Sequence, residues 1–128
     1  MRFMMFMLPN IEADEWMPSA EAVAEMSKYN QKLSEAGVLL ALDGLHSQDE
    51  GVRVTFGEPG KYTVTDGPFT EAKEMIGGYW LIDVKSKEEA VEWAKRCPGG
   101  HCTIEVRQIF DLEEFPPDVQ AAAGERLV

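Results

Sequence analysis

The sequence has few cysteines, few histidines, few basic residues and no long apolar run. Its 128 residues include two cysteines, two histidines and 12 Lys+Arg against 23 Asp+Glu, which gives a formal net charge of −11. So large an acidic excess argues against binding to the phosphate backbone of nucleic acids and to anionic lipid surfaces. We therefore expect neither nucleic acid nor a membrane among its partners.

The two cysteines, Cys97 and Cys102, are too few and too close in sequence to form a framework of disulfide bonds. They fit a reducing cytosol, so we expect a cytoplasmic protein. The apolar residues 1–8 are followed by Pro9 and an acidic stretch. This run is much shorter than the roughly 20 residues that cross a membrane, and it lacks the cleavage site of a signal peptide.

The hydrophobic pattern predicts one α+β domain. Hydrophobic residues make up 45% of the chain and charged residues 27%, which is typical of globular proteins. Strand patterns occur at 2–8, 38–42, 79–84 and 103–110, helical patterns at 18–36 and 86–97, and a hairpin of two half-buried strands at 52–56 and 62–66. This order predicts the ferredoxin-like split β-α-β arrangement with an antiparallel sheet. We expect a domain over residues 1–110 and an acidic tail over 111–128 that contains one short helix.

The alternation of side chains along the strands predicts two different faces of this sheet. One set is expected to face the helices: Trp80, Ile82, Val84, Ile104, Val106 and Phe110. The helix over 18–36 is expected to bury Ala22, Met26, Tyr29, Leu33 and Ala36. The opposite, open face carries Tyr79, Leu81 and Ile109, beside the charged Asp83, Glu105 and Arg107. An open face this apolar favours pairing with a second copy, which gives a homodimer.

The most distinctive local motif is residues 64–74, which contain Asp66-Gly67-Pro68-Phe69 and are followed by Gly77-Gly78-Tyr79. With the methionine-rich first strand and residues 35–40 and 81–86, this motif resembles the YCII-related family, in the subgroup named for its Asp-Gly-Pro-Phe motif. The resemblance covers roughly residues 1–110 and implies a ferredoxin-like dimeric α+β barrel. The family has no settled activity. A His–Asp pair in a cleft has been proposed as the active site of some members, and some relatives eliminate a leaving group from a small aromatic compound.

Asp66 matches the aspartate of that pair, whereas the family histidine has no clear counterpart, and His46 is the candidate partner. From the residues alone, Asp66 has two interpretations. It either stabilises a turn, in which Gly67 supplies an unusual φ and Pro68 fixes the exit, or it acts as a base at the end of a strand. His46 is likewise either an exposed loop histidine or an acid–base group.

Three further residues are candidates for ligand binding. Arg53 and Tyr79 are expected near the cleft, where an arginine would suit a carboxylate ligand. Lys73 either forms a solvated pair with Glu74 or neutralises an anionic ligand. For Arg53, a surface charge on the hairpin is the alternative.

The stretch Cys97-Pro98-Gly99-Gly100-His101-Cys102 places three metal-binding residue types within six positions. A structural zinc site needs four ligands, and no fourth is near in sequence, so we expect no metal. The sequence also lacks a phosphate-binding loop and a serine nucleophile elbow, so we expect no cofactor.

Two functions remain open at this stage. The first is a homodimer with a small-molecule cleft in each subunit, where Asp66 and His46 would transfer a proton in a lyase or isomerase-like reaction. The alternative is a binding or regulatory accessory dimer without catalysis.

Overall fold

The computed structural model describes residues 1–11, 15–67 and 75–124. Its elements, in chain order, are β1 (Arg2–Leu8), α1 (Ala20–Glu35), β2 (Leu39–Gly44), a 3₁₀ helix (Gln48–Glu50), β3 (Val52–Phe56), β4 (Tyr62–Asp66), β5 (Gly78–Asp83), α2 (Lys87–Lys95), β6 (Thr103–Gln108), a second 3₁₀ helix (Leu112–Glu114) and α3 (Pro117–Ala123). The predictions of a first strand over 2–8 and of one short helix in the tail are confirmed by β1 and α3.

Four strands form the main sheet in the order β2-β5-β1-β6, and every neighbouring pair is antiparallel. β3 and β4 form a separate two-stranded sheet. This arrangement confirms the predicted α+β class and is consistent with a ferredoxin-like fold. The described helices are all too short or too polar to cross a membrane.

Both long helices begin where a serine can cap them. The hydroxyl of Ser19 accepts a hydrogen bond from the backbone N–H of Ala22, and that of Ser86 accepts one from Glu89, each at 3.1 Å. Such caps satisfy backbone donors that have no partner within the helix. α1 stops before Gly37, whose φ of +74° suits glycine.

The core lies between the sheet and the two helices. Phe3, Met5 and Ile82 of the sheet pack there with Leu33 of α1 and Ala90 of α2, all at most 1% exposed. Ala22 and Ala36 were expected in this layer but lie exposed. Ala22 lies in the first turn of α1 and Ala36 is its C-cap, whereas the buried residues of the helix, Tyr29 and Leu33, lie between them.

Two hydrogen bonds fix the positions of the aromatic side chains in this core. The Trp80 Nε1–H donates to Asn30 Oδ1, and the Tyr29 hydroxyl donates to the Trp93 carbonyl, each at 2.7 Å. The rings of Tyr29 and Trp80 meet edge to face with centroids 5.7 Å apart. Burial raises the pKa of Tyr29 well above its ordinary value, because the phenolate would lose its solvation.

The open face of the main sheet carries a row of apolar side chains. Met4 pairs with Leu81, and Phe6 pairs with Tyr79, across β1 and β5. These four side chains point away from the core because they alternate with the buried Phe3 and Met5. All four are only partly buried in the single chain.

The hairpin differs from the prediction of two half-buried strands. Every residue of β3 and β4 is exposed. Val54 pairs with Val64, and Phe56 pairs with Tyr62, so one face is mostly apolar and ends with Asp66 opposite Val52. The prediction of half-burial is wrong because these strands form their own sheet and do not extend the main one.

Two boundaries also need correction. β6 ends at Gln108, so Phe110 does not face the helices but is 63% exposed, with its ring 4.9 Å from that of Phe115. The second strand, predicted over 38–42, continues through Asp43 and Gly44, which pair with Tyr79 and Gly78. In both places hydrogen bonding between strands, which the local sequence does not show, set the end of the strand.

Candidate functional site

A cleft of about 560 Å³ opens at one end of the main sheet. It lies between the end of β1, the segment before α1 and the loop after β2. Its described lining residues are Met7, Pro9, Ile11, Glu15, Trp16, Met17, Pro18, Ala22, Gly44, Leu45, His46 and Gly77. Most of these side chains are apolar, and Glu15 and His46 carry its titratable groups. Binding sites for small molecules commonly combine an apolar lining with a few polar groups.

Gly77 connects two sides of this cleft through its backbone. Its N–H donates to the Met7 carbonyl at 2.7 Å, and its own carbonyl accepts from the Leu45 N–H at 2.9 Å. A Cβ at position 77 would lie 3.2 Å from the ring of Pro9. Glycine therefore allows β1 and the loop after β2 to approach closely at this point.

Trp16 forms the wall on the side of α1. Its Nε1–H donates to the Leu45 carbonyl at 2.8 Å. Indole has no other hydrogen-bonding group, so the ring presents only apolar and π surface to the cleft. Met17 is 88% exposed and Leu45 46% exposed beside it, which leaves the apolar wall accessible from solvent.

His46 lies at the edge of the cleft and contacts Glu50. Its Nδ1 is 2.8 Å from Glu50 Oε2, and the two side chains are 88% and 66% exposed. The 3₁₀ helix after His46 brings these residues together. An ionised carboxylate only accepts hydrogen bonds, so Nδ1 carries the proton. In the neutral ring, Nε2 is then the basic nitrogen.

Asp66 lies at the end of β4, paired with Val52. The next residue, Gly67, donates its N–H to the Gly51 carbonyl at 2.9 Å. The Asp66 backbone therefore adjoins the 3₁₀ helix that carries Glu50. Among the described residues, no hydrogen bond or ion pair links Asp66 to His46, and the carboxylate that contacts His46 is that of Glu50.

Arg53, Tyr79 and Lys73 are the remaining predicted site residues. Arg53 is on β3, opposite Thr65. The Tyr79 hydroxyl donates to Asp43 Oδ2 at 3.4 Å, and both residues line a neighbouring cavity of about 120 Å³ that shares Met7, Gly44 and Gly77 with the cleft. Lys73 lies outside the described residues, as do Pro68, Phe69 and the rest of the motif over 68–74.

Cys97 and Cys102 are free thiols near the end of α2. The Cys102 thiol donates to the Gly99 carbonyl at 3.3 Å. Burial raises the pKa of Cys97 to about 11, because a thiolate is poorly solvated there. In the three described stretches of chain, no group of three or more His, Cys, Asp or Glu residues could hold a metal ion.

Sequence reasoning did not identify the roles of Trp16 and Gly77 in the cleft, or that of Glu50 beside His46 at its edge. Glu50 had a local signal, because it follows His46 by four residues in a polar stretch. Trp16 also had a local signal, because a large aromatic residue in an acidic stretch suggests a binding surface. The role of Gly77 depends on a contact with Met7, 70 positions earlier in the chain, and had no local signal.

The chain is similar to known proteins over most of its length. The model of the YCII-related domain matches residues 1–113. The uncharacterised protein R00369 of Rhizobium meliloti (strain 1021) is 47% identical over 58 residues, which are 45% of this chain and 47% of that protein. That match therefore spans about half the length of the relative. The family model covers far more than half of this chain, so the chain belongs to the YCII-related family.

Proposed function

We propose that this protein binds a small molecule in the cleft beside Trp16 and that His46 transfers a proton to or from it. The observation that carries this proposal is the position of His46, which lines a mostly apolar cleft and has Nδ1 engaged by Glu50. Positioned imidazoles are common general acids and bases, and a hydrogen bond to Nδ1 selects the form in which Nε2 reacts.

The reaction class that suits this arrangement is an elimination or an isomerisation. In an elimination, Nε2 of His46 takes a proton from a carbon atom of the substrate. The electron pair of that C–H bond forms a double bond, and the leaving group departs with its own electron pair. An isomerisation uses the same first step and returns the proton to another carbon. Neither route needs a redox partner.

Asp66 has a different part in this proposal from the one that the family pair implies. The Asp66-Gly67-Pro68-Phe69 sequence supports membership of the subgroup named for that motif. The backbone contact between Gly67 and Gly51 supports a role for this corner in holding the segment that carries Glu50. We infer that Glu50 orients His46. The Asp66 corner holds the segment that carries Glu50, and within the described part of the chain the Asp66 carboxylate makes no direct hydrogen bond to His46.

Ligand screening by thermal shift, followed by variants, tests this function. A compound that occupies the cleft raises the unfolding midpoint as its concentration increases. His46→Gln should lower turnover of such a compound about a hundredfold or more, whereas His101→Gln, at the other histidine of the chain, should leave it unchanged. A general acid–base group typically contributes about a hundredfold or more in rate. Full turnover by His46→Gln would refute the catalytic role.

Asp66→Asn and Glu50→Gln separate the two carboxylates. Each removes a charge and keeps the shape of the side chain. A large loss of rate for Glu50→Gln together with a small one for Asp66→Asn supports Glu50 as the group that orients His46. The opposite pattern would restore the His–Asp pair that the family resemblance implies.

A second candidate is an accessory homodimer without catalysis. It is favoured by the two apolar surfaces of the single chain, namely the open sheet face with Phe6 and Leu81 and the hairpin face with Val54, Phe56 and Tyr62. The two free thiols are compatible with either function in a reducing cytosol. A protein that dimerises but whose unfolding midpoint no compound raises would support this candidate.

A further inference from the structure

The charges around the cleft indicate which ligands it selects. Glu15 is the anionic residue of its lining, and Glu50 contacts His46 at its edge. In the part of the chain that the structure describes, no lysine or arginine lines this cleft. An anionic ligand would therefore meet the Glu15 carboxylate, with no lysine or arginine of the described lining to balance its charge.

Trp16 adds a second feature that favours a cation. Its N–H is engaged by the Leu45 carbonyl, so the ring is held in place and contributes π surface to the cleft. The face of an indole ring attracts ammonium groups. A carboxylate and an indole, Glu15 and Trp16, are thus adjacent in the chain and line the same cavity.

The other lining groups limit the size and polarity of the ligand. Met7, Pro9 and Leu45 offer apolar contacts, and a cavity of about 560 Å³ is within the range of sites for small organic molecules. A ligand that satisfies the whole lining has an apolar or aromatic body and one positively charged group.

We propose that the cleft selects small hydrophobic amines, with the ammonium group at Glu15 and Trp16 and the apolar body against Met7, Pro9 and Leu45. This proposal rests on the proposed function, because it names the ligand class of the same cleft. It differs from the carboxylate ligand expected for Arg53 at the sequence level.

Three probes that share one phenyl ring test the charge preference. These are 2-phenylethylamine, 2-phenylethanol and phenylacetate, titrated into the full chain by calorimetry near neutral pH and at low salt. Glu15 is exposed, so the gain from its charge is small. We expect the amine to bind about fivefold more tightly than the alcohol. Phenylacetate should bind most weakly of the three.

Variants test whether the preference for the amine arises in the cleft. Glu15→Gln should remove the difference between the amine and the alcohol, whereas Trp16→Leu should weaken both. Glu58→Gln in the exposed turn of the hairpin changes the net charge equally and should leave all three affinities unchanged. Phenylacetate binding as tightly as the amine, or an amine preference that survives Glu15→Gln, would overturn this proposal.

The same titrations distinguish a failure of the amine proposal from a failure of the proposed function. If the alcohol or phenylacetate binds best and Trp16→Leu abolishes that binding, the cleft is a ligand site and only the amine selection is wrong. If none of the probes binds, the amine proposal is overturned together with the function of the cleft for ligands of this size.

Discussion

The backbone of Gly67 lies directly against the carbonyl group of Gln48. A Cβ at position 67 would overlap the Gln48 oxygen and lie 3.0 Å from its carbonyl carbon. The sequence suggested that Gly67 supplies an unusual φ, but the glycines with positive φ are Gly37, Gly60 and Gly124. Gly67 is therefore required for close approach, which joins the end of β4 to the segment after His46.

Gly67→Ala should destabilise the protein because the added methyl group cannot fit against Gln48. We expect the free energy of unfolding to fall by about 1–3 kcal/mol, as is usual for overpacking. Gly57→Ala is the matched control, since a Cβ there meets nothing within 4 Å, and its effect should stay within about 0.5 kcal/mol. Urea denaturation measures both, and equal stabilities of the two variants would contradict this account.

Tyr29 should make stability depend on alkaline pH. Burial raises the pKa of Tyr29 in the folded protein, whereas the unfolded chain releases this proton near the ordinary value of about 10. The contribution of the protonated Tyr29 hydroxyl to the free energy of unfolding is therefore complete below about pH 10 and decreases as the pH rises further.

Tyr29→Phe isolates this effect. Near neutral pH it should lower the free energy of unfolding by about 1 kcal/mol, because the Trp93 carbonyl loses its donor. Above about pH 10, the difference between the two proteins should narrow in urea denaturation curves. A difference that stays constant over this range would disprove the assignment.

Cys97 should react slowly with alkylating reagents while the protein is folded. A pKa raised to about 11 leaves roughly a hundredfold less thiolate near neutral pH than an ordinary cysteine has. In Cys102→Ser, mass spectrometry follows Cys97 alone during iodoacetamide treatment. Unfolding in urea should restore ordinary reactivity, and equal rates in the folded and unfolded protein would refute the prediction.

The open sheet face should mediate a homodimer. Leu81→Arg places a charge in the middle of this face and should yield a monomer by light scattering at micromolar concentration. Val23→Arg is a matched control on the outer side of α1, where Val23 is 49% exposed, and it should leave the dimer intact. The interface should bury more than about 1,000 Å² in total. A monomeric unmodified protein would rule out this interface.

Much of the fold could be predicted because its signals are local. The helical patterns over 18–36 and 86–97 and the alternation along β5 depend on neighbouring residues. They predicted α1, α2 and the buried Trp80 and Ile82. The candidate site was less predictable. His46 was identified from its residue type and place after a strand, but its contact with Glu50 depends on a 3₁₀ turn that the local pattern did not indicate.

The sequence by itself determined the α+β class, the order of strands and helices, and the layer that forms the core, because periodicity and capping act over a few residues. The tertiary structure decided which distant segments line the cleft. Gly77 bonds to Met7 and Leu45, Trp16 bonds to Leu45, and the Asp66-Gly67 corner lies against the 3₁₀ helix. These contacts arise from strand pairing and close backbone approach between segments far apart in the chain, which no local pattern of residues specifies.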